Sequence, residues 1–331
     1  MIIAILNIFA VISLQLGLLS TTKSLGTIYD WHPEWQRKIL HIGLGLISLS
    51  FPWVFFEVWH VALLCAIKGS AMLVIRNVPS LRNSIGISVY EVKRSSLGEI
   101  LFFLSITLLF WISGDNTLLY VIPLTILTMS DSMAALIGTY FGKRTFEVSG
   151  AIKSWEGTLT FIGITFMVLV VLLYGFSSLS WPSLLMIAVI FSILGALIEA
   201  VSWYGFDNLL IPLAAYFFLN NFLIQDEITL FIELCVLAGL VVFILFYGPR
   251  SQLNTHALMA SIISLYIFWW LQGNIAWLMV PVLIFLCHIV LVKLHHDEGQ
   301  YSIDAVFGVT SSGLFWILLV SLLYIPFGFF L

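Results

Sequence analysis

Long apolar runs recur along the whole 331-residue chain, and short polar connections separate them. An α-helix of about 20 apolar residues spans a hydrocarbon core of about 30 Å. The alternation therefore predicts an all-α fold, a polytopic bundle of about twelve transmembrane helices. The candidate spans lie at 2–20, 39–56, 58–75, 98–113, 117–140, 157–175, 181–203, 208–224, 228–247, 255–272, 275–294 and 305–330.

The composition agrees with a membrane fold, because 61% of the residues are hydrophobic and only 9% are charged. Soluble domains carry about 25% charged residues. The mean hydropathy of +1.10 leaves no stretch suited to a soluble domain. The three cysteines lie in apolar runs without CxxC spacing, which argues against a disulfide framework. The first run lacks a basic region and a small-residue cleavage site, so we predict a retained span.

The basic residues fall on one side of this predicted topology. If the N-terminus is outside, twelve of the thirteen Lys and Arg residues lie in or beside the connections on the opposite side. The positive-inside rule makes that side cytoplasmic. The exception is Lys68 in the third span, which we expect to pair with a carboxylate, line a wet cavity or snorkel to the interface.

A carboxylate, Asp131, lies two to three turns from the cytoplasmic end of the fifth predicted span. A charge at that depth is costly, so we expect a cationic partner or a metal ion beside it. Ala134, Ala135 and Gly138 share its helical face and leave room for a ligand or a neighbouring helix. A polar contact between packed helices is the alternative interpretation.

The connection after this span has the composition of a phosphate site. Gly138 and Gly142 flank the end of the span, and Lys143, Arg144 and Lys153 follow. Ser154 can cap the next helix, with Glu156 in the first turn. The N–H groups at a helix start attract phosphate, and a carboxylate can hold a divalent ion, as phosphoryl transfer requires. An ordinary basic cytoplasmic loop has a similar composition.

Other polar clusters lie on the same predicted side. Glu34, Arg37, Lys38 and His41 share one helical face before the second span, where a collar of snorkelling side chains is the alternative. The remaining clusters are Arg94 with Glu99, Glu199 with Asp207 and Asn208, and the run His295, His296, Asp297 and Glu298. Adjacent residues on a helix point in different directions, so the last run favours a solvated loop over a metal site.

In this order the motifs resemble those of the polyprenol kinases, which include phytol kinase and dolichol kinase, and more distantly the phosphatidate cytidylyltransferases. The matching motifs are Glu34-x-x-Arg37-Lys38-x-x-His41, Arg94-x-Ser96-x-Gly98-Glu99, Asp131-x-x-x-Ala135-x-x-Gly138-x-x-Phe141-Gly142-Lys143, Lys153-Ser154-Trp155-Glu156-Gly157, and Glu199 with Gly205-x-Asp207-Asn208-x-x-x-Pro212. The resemblance covers roughly residues 34 to 212. It divides the chain into a kinase-like membrane domain, 1–225, and additional transmembrane helices of unknown role, 226–331.

The resemblance implies CTP-dependent transfer of a phosphoryl group to the hydroxyl of a membrane-embedded isoprenoid alcohol of the phytol, farnesol, geranylgeraniol or dolichol type. We assign catalytic roles to Asp131, His41, Lys153 and Glu199, and we expect Asp131 and Glu156 to hold Mg²⁺. The general base is His41, Glu199 or Asp207. The expected nucleotide-binding residues are Arg37, Lys38, Arg94, Gly138, Gly142, Lys143, Ser154, Asp207 and Asn208.

Two alternatives stay open. The cytidylyltransferases continue after the equivalent of Glu199 with lysine-arginine, lysine-aspartate and histidine-glycine-glycine motifs that this chain lacks, which favours a kinase. A non-enzymatic transporter could also use intramembrane charges, although here they gather at one face. We expect lipid and nucleotide partners, no nucleic acid, and a cytoplasmic site in a bacterial inner membrane, or an organelle membrane if the source is eukaryotic. A homodimer is left open.

Overall fold

The structure is a computed structural model that describes residues 2–78, 80, 97–148, 151–272, 278–279, 281–287 and 290. The chain divides into two compact units, Met1–Leu230 and Phe231–Leu331. The helices are α1 (Ile2–Ile28), α2 (Pro33–Leu49), α3 (Phe51–Val54), α4 (Val58–Asn77), α5 (Gly98–Ser113), α6 (Thr117–Thr125), a π-helix (Ile126–Asp131), α7 (Ser132–Phe141), α8 (Trp155–Phe176), α9 (Trp181–Val201), α10 (Asp207–Phe222), α11 (Glu227–Ser251) and α12 (Thr255–Gln272).

Six helical segments in the described residues are long and apolar enough to cross a membrane, by length and composition. They are α1, α4, the continuous segment Thr117–Phe141, α8, α9 and α11. This finding supports the predicted all-α, multi-pass membrane fold. The count of twelve spans and the outside N-terminus stay predictions. Half of the predicted span 275–294 and all of the predicted span 305–330 fall outside the described residues.

Two of these segments form the centre of the first unit. In Thr117–Phe141 and in α9, 61% of the most apolar window is buried inside the protein, against 17% in α1 and 22% in α8. Most residues of the apolar windows of α1 and α8 are therefore not buried inside the protein, as expected for helices that face lipid. The central segment is also tied to α2, because the Tyr120 hydroxyl donates a 2.8 Å hydrogen bond to the carbonyl of Ser48.

The central segment changes its winding immediately before α7. Residues Ile126–Asp131 form a π-helical turn, three residues after Pro123. Such turns are rare and often occur at functional sites. Gly45 of α2 faces this turn, where an added Cβ would lie 2.8 Å from Cβ of Thr128. Glycine at position 45 therefore permits α2 to approach the π turn closely.

The connection after the fifth predicted span contains a β-hairpin. Strands β1 (Thr145–Val148) and β2 (Ala151–Ser154) pair antiparallel, with Phe146 opposite Lys153. Phe146 and Val148 are buried and Glu147 between them is exposed, as expected for a strand with one covered face. The hairpin was not predicted from the sequence. Four-residue strands are too short to give a clear alternating pattern.

Glycine also allows α8 to lie against α7. An added Cβ on Gly157 would be 2.9 Å from the carbonyl oxygen of Ala134 and 3.4 Å from Cα of Gly138. The nearest atom belongs to the backbone, so it cannot move aside as a flexible side chain would. The start of α8 is thereby held against the helix that carries Asp131 at its beginning.

We expect Gly157→Ala to lower the free energy of unfolding by about 1–3 kcal/mol, because the added methyl group overpacks the contact between α7 and α8. The matched control is Gly163→Ala in the same helix, where nothing lies within 4 Å of the added Cβ. That variant should be neutral or stabilised by up to about 1 kcal/mol. Unfolding titrations of both variants in detergent micelles measure the difference, and equal midpoints would contradict the packing argument.

In the second unit, a buried carboxylate is held by two side chains of α12. Glu233 accepts hydrogen bonds of 2.8 Å from the Tyr266 hydroxyl and of 2.8 Å from Nε1 of Trp269. Hydrogen bonds of this kind join helices inside membranes. These hydrogen bonds explain how a carboxylate can be buried here, because Glu233 of α11 bonds to side chains of α12. The role of residues 226–331 stays unknown.

Candidate functional site

A cavity of about 180 Å³ lies in the first unit where several helix ends meet the hairpin. The first turns of α2, α8 and α10, the last turn of α9, the face of α7 and both strands contribute to it. Its ionisable lining residues are Glu34, Arg37, Lys38, Asp131, Lys153, Glu199 and Asp207. Six of these were assigned to the site from the sequence, and the structure brings them together around one space.

Asp131 forms an ion pair with Lys38 at the inner part of the cavity. Lys38 Nζ lies 2.6 Å from Oδ2 of Asp131, and the two side chains are only 5% and 7% exposed. The expectation of a cationic partner for Asp131 is confirmed. A buried pair is strongly coupled, because removing one partner leaves an uncompensated charge at a cost of about 3–5 kcal/mol.

A second ion pair joins the hairpin to the end of α9. Lys153 Nζ lies 2.7 Å from Oε1 of Glu199 and also donates to the backbone carbonyl of that residue. These side chains are 15% and 12% exposed. Lys153 of strand β2 therefore lies at the cavity wall. The paired strand fixes the position of this cation better than an irregular loop would.

The third pair lies on α2 itself. Arg37 donates from Nε and one terminal nitrogen to the two carboxylate oxygens of Glu34, at 3.0 and 2.6 Å. This two-point contact fixes the plane of the guanidinium group. Glu34 was recognised from the sequence only as a member of the α2 cluster. Its spacing of three residues from Arg37 was the signal for the pair.

Asp207 differs from the other cavity carboxylates, because it makes no ion pair within the described residues. Its Oδ1 atom accepts hydrogen bonds from the backbone N–H and side-chain amide of Asn208 at 2.9 and 3.2 Å. The turn before it contains Tyr204 and Gly205 at φ of 51° and 87°. This left-handed backbone reverses the chain, so that Glu199 at the end of α9 and Asp207 at the start of α10 line the same cavity.

The start of α8 forms another wall of the cavity. Ser154 caps this helix as predicted, with its hydroxyl accepting a 3.2 Å hydrogen bond from the N–H of Gly157. Ser154, Gly157 and Thr158 all line the cavity. The positive end of the helix dipole therefore lies at the cavity wall, a position that favours an anion such as phosphate.

The small side chains predicted to share the face of Asp131 do line the cavity. They are Ala134, Ala135 and Gly138. Gly138 also has a packing role, because an added Cβ would lie 2.9 Å from Oγ of Ser154. Gly142 lies outside the cavity lining, where an added Cβ would come 2.8 Å from Cβ of Ser154.

Several residues assigned from the sequence are placed elsewhere. Lys143 is exposed and does not line the cavity. Glu156 faces the start of the hairpin, where its two oxygens lie 3.3 and 3.4 Å from the backbone nitrogen of Arg144. The structure therefore does not bring Glu156 to the cavity beside Asp131. Arg94 and the run 295–298 lie outside the described residues.

His41 and Asn208 line a second, smaller cavity of about 50 Å³. Arg37 lines both cavities and so marks their junction. Lys68 reaches neither cavity, and its buried ammonium group lies 5.2 Å from the ring centre of Phe103 and 5.9 Å from that of Phe51. Among the described residues, Lys68 makes no ion pair with a carboxylate, and its ammonium group is attracted to the two aromatic faces.

The donor set fits a magnesium nucleotide. The described residues contain no cluster of three or more His, Cys, Asp or Glu side chains that would form a complete protein metal site. Mg²⁺ does not require such a cluster, because it is commonly held by one or two carboxylates together with substrate phosphates and water. Asp131 and Asp207 line the cavity and could supply those carboxylates, while Arg37, Lys38 and Lys153 could contact phosphates.

Comparison with known proteins gives one clear relative. A phytol kinase from Synechocystis sp. is 34% identical over 187 residues, which cover 55% of this chain and 76% of that protein. The chain matches no protein-family model, and no solved structure matches it. The identity and the coverage of the relative support the resemblance drawn from the motifs. The chain belongs to the phytol kinase family of polyprenol kinases.

Proposed function

We propose that this protein transfers the γ-phosphoryl group of CTP to the hydroxyl of a membrane-embedded isoprenoid alcohol. The single observation that carries this proposal is the cavity in which three cations are each paired with a carboxylate beside the start of α8. The similarity to a phytol kinase supports the same reaction class.

The charges in the cavity suit an exchange of partners when a nucleotide binds. Three cations and four carboxylates give a formal charge of about −1 in the lining. Phosphoryl oxygens would draw Lys38 and Lys153 away from Asp131 and Glu199, because phosphate carries more charge than one carboxylate. The carboxylate of Asp131 would then be free to join Asp207 in holding Mg²⁺. When bound, Mg²⁺ supplies electrostatic stabilisation for the charge that develops on the phosphate oxygens.

The reaction needs positioning and charge stabilisation more than covalent chemistry by the protein. The hydroxyl oxygen forms a bond to the γ-phosphorus while the bond from that phosphorus to the bridging oxygen breaks. The electron pair leaves with the nucleoside diphosphate, and the hydroxyl proton passes to a base. Lys153 and Arg37 are placed to neutralise the charge on the phosphoryl group during transfer.

We also propose that the cavity faces the cytoplasm. Lys153 and the hairpin belong to the basic side of the predicted topology, where the positive-inside rule places the cytoplasmic connections. A soluble nucleotide would then reach the cavity directly from the cytoplasm, while the lipid substrate stays in the bilayer.

The proposal is tested by giving purified protein in liposomes CTP labelled at either the α or the γ phosphate. Phytol, farnesol, dolichol and phosphatidic acid are supplied in separate reactions, and unlabelled ATP, GTP and UTP serve as competitors. We expect γ-label, and no α-label, in the organic phase with at least one of the alcohols. Only transfer of the terminal phosphoryl group gives that pattern.

Each alternative function predicts a different outcome of this assay. α-Label in the lipid product with phosphatidic acid would show a cytidylyltransferase, which transfers CMP and releases pyrophosphate. Movement of a solute across the liposome membrane without nucleotide would show a transporter. Preferential competition by ATP would overturn the choice of CTP while leaving the kinase reaction intact.

A further inference from the structure

The smaller cavity, here called the head pocket, is lined on one side by apolar side chains of α2, α4 and α5. Its volume is about 50 Å³, and its apolar lining consists mainly of Leu40, Leu44, Met72, Phe102 and Phe103. By the same measure, one water needs about 10–15 Å³. The head pocket therefore has room for a small group of atoms, such as a hydroxymethyl group and the carbons next to it.

Two polar atoms of residues lining this pocket are buried without a hydrogen-bond partner among the described residues. They are Nε2 of His41 and Oδ1 of Asn208. Leaving a buried polar atom unpaired costs about 1–3 kcal/mol, so each such atom in a folded protein calls for an explanation. The amide nitrogen of Asn208 already donates to Gly205 and Asp207, which leaves Oδ1 as a hydrogen-bond acceptor.

The surroundings of His41 also define which of its nitrogens can accept a proton. Nε2 is buried without a hydrogen-bond partner among the described residues, so it is the ring nitrogen left open to a ligand. In a neutral imidazole with its proton on Nδ1, Nε2 carries a free lone pair. The acceptors that line the head pocket are therefore Nε2 of His41, Oδ1 of Asn208 and the carboxylate of Glu99, and the hydroxyl of an alcohol can donate its single proton to one of them.

Arg37 connects the head pocket to the nucleotide cavity. Its side chain lines both spaces, and its pair with Glu34 fixes the guanidinium group. His41 follows Arg37 by one turn on the same face of α2. A hydroxyl in the head pocket and a phosphoryl group in the larger cavity would therefore meet beside Arg37.

We infer that the head pocket binds the hydroxyl end of the isoprenoid alcohol and that His41 Nε2 accepts the hydroxyl proton. This inference rests on the kinase function proposed above and assigns its second substrate a place separate from the nucleotide. The oxygen attacks the γ-phosphorus, the bridging P–O bond breaks toward the nucleoside diphosphate, and the proton leaves His41 for water after release of the product.

Leu44→Trp tests the pocket by filling it. We expect the KM for the alcohol to rise at least about tenfold and the KM for CTP to change less than twofold, because the indole occupies the space of the alcohol head. The matched control is Leu46→Trp, which adds the same side chain to an exposed position on α2 and should leave both KM values unchanged. An unchanged alcohol KM in Leu44→Trp, or an equal rise in both constants, would overturn the inference.

The variant His41→Gln tests whether His41 acts as a base or only packs against its neighbours. We expect kcat to fall by about 10²–10⁴-fold with an unchanged KM for CTP, which is the usual range for loss of a positioned base. An alcohol made more acidic by fluorine atoms next to its hydroxyl should recover part of the loss. An equal loss of kcat with both alcohols would refute the role of His41.

Photolabelling gives a readout that does not depend on turnover or on the folding of a variant. Wild-type protein is irradiated with a phytol analogue that carries a diazirine beside its hydroxyl, and labelled peptides are sequenced. We expect labels in α2 and α5, close to Leu44 and Phe102. Labels there without any kinase product would refute the proposed function and keep the pocket as a lipid-alcohol site, whereas product with labels elsewhere would refute the head pocket alone.

Discussion

Asp131→Asn is expected to abolish phosphoryl transfer, with a fall in kcat of at least about 10³-fold. The change removes the charge that pairs with Lys38 and that we propose to hold Mg²⁺ after Lys38 turns to the nucleotide. Loss of one preorganised charge at the transferring phosphate typically costs about 10²–10⁵-fold in rate. The initial rate of γ-label transfer from CTP to the alcohol measures the effect.

A matched control and a double variant separate lost chemistry from lost structure. Asp115→Asn changes an exposed aspartate just before α6 and should keep wild-type activity. Asp131→Asn leaves Lys38 buried without its partner, so the variant should also unfold more easily. In Lys38→Met/Asp131→Asn both charges are gone, so stability should recover while activity stays absent. An active Asp131→Asn protein would show that the cavity is not the kinase site.

Lys153→Met is expected to lower kcat by about 10²–10³-fold. In the cavity this ammonium group is held by Glu199 and is the cation that the hairpin supplies. Removing one donor that stabilises transition-state charge usually costs this much. Lys23→Met provides the matched control, because Lys23 is an exposed cation of α1 outside the cavity lining.

A double variant distinguishes contact with phosphate from neutralisation of Glu199. If Lys153 only compensates the buried charge of Glu199, Lys153→Met/Glu199→Gln should regain most of the wild-type rate. If Lys153 binds the phosphoryl group, the double variant should regain stability but stay slow. Restored kcat in the double variant would therefore contradict the assignment of Lys153.

The local features of the site could be predicted from sequence, since they depend on spacing within one element. Hydropathy gave the bounds of α5, 98–113, and the helical period placed Ala134 and Gly138 on the cavity face of α7. The capping role of Ser154 followed from a serine just before an apolar run. The cost of burying Asp131 predicted that a cation would be near, but not which one.

The pairings across the fold could not be predicted, because they depend on which helices pack together. Lys38 and Asp131 are 93 residues apart, and Lys153 and Glu199 are 46 residues apart. No periodicity in one chain specifies such contacts. The same limit explains the assignment of Glu156 to the metal: its place in the first turn of α8 was correct, while its direction depended on the unforeseen hairpin.

The direction of the Asp131 side chain depends on how many residues the π turn at Ile126–Asp131 contains, as well as on which residues they are. A turn closed by bonds from i to i+5 holds one residue more than an α-helical turn. Each residue of an α-helix rotates the side-chain direction by about 100°. The side-chain directions of α7, after the π turn, are therefore rotated by about 100° from those that α6 would give if it continued as a regular helix. Loss of one residue between Ile126 and Ser130 would restore a regular helix, preserve its apolar character, and rotate Asp131 away from Lys38.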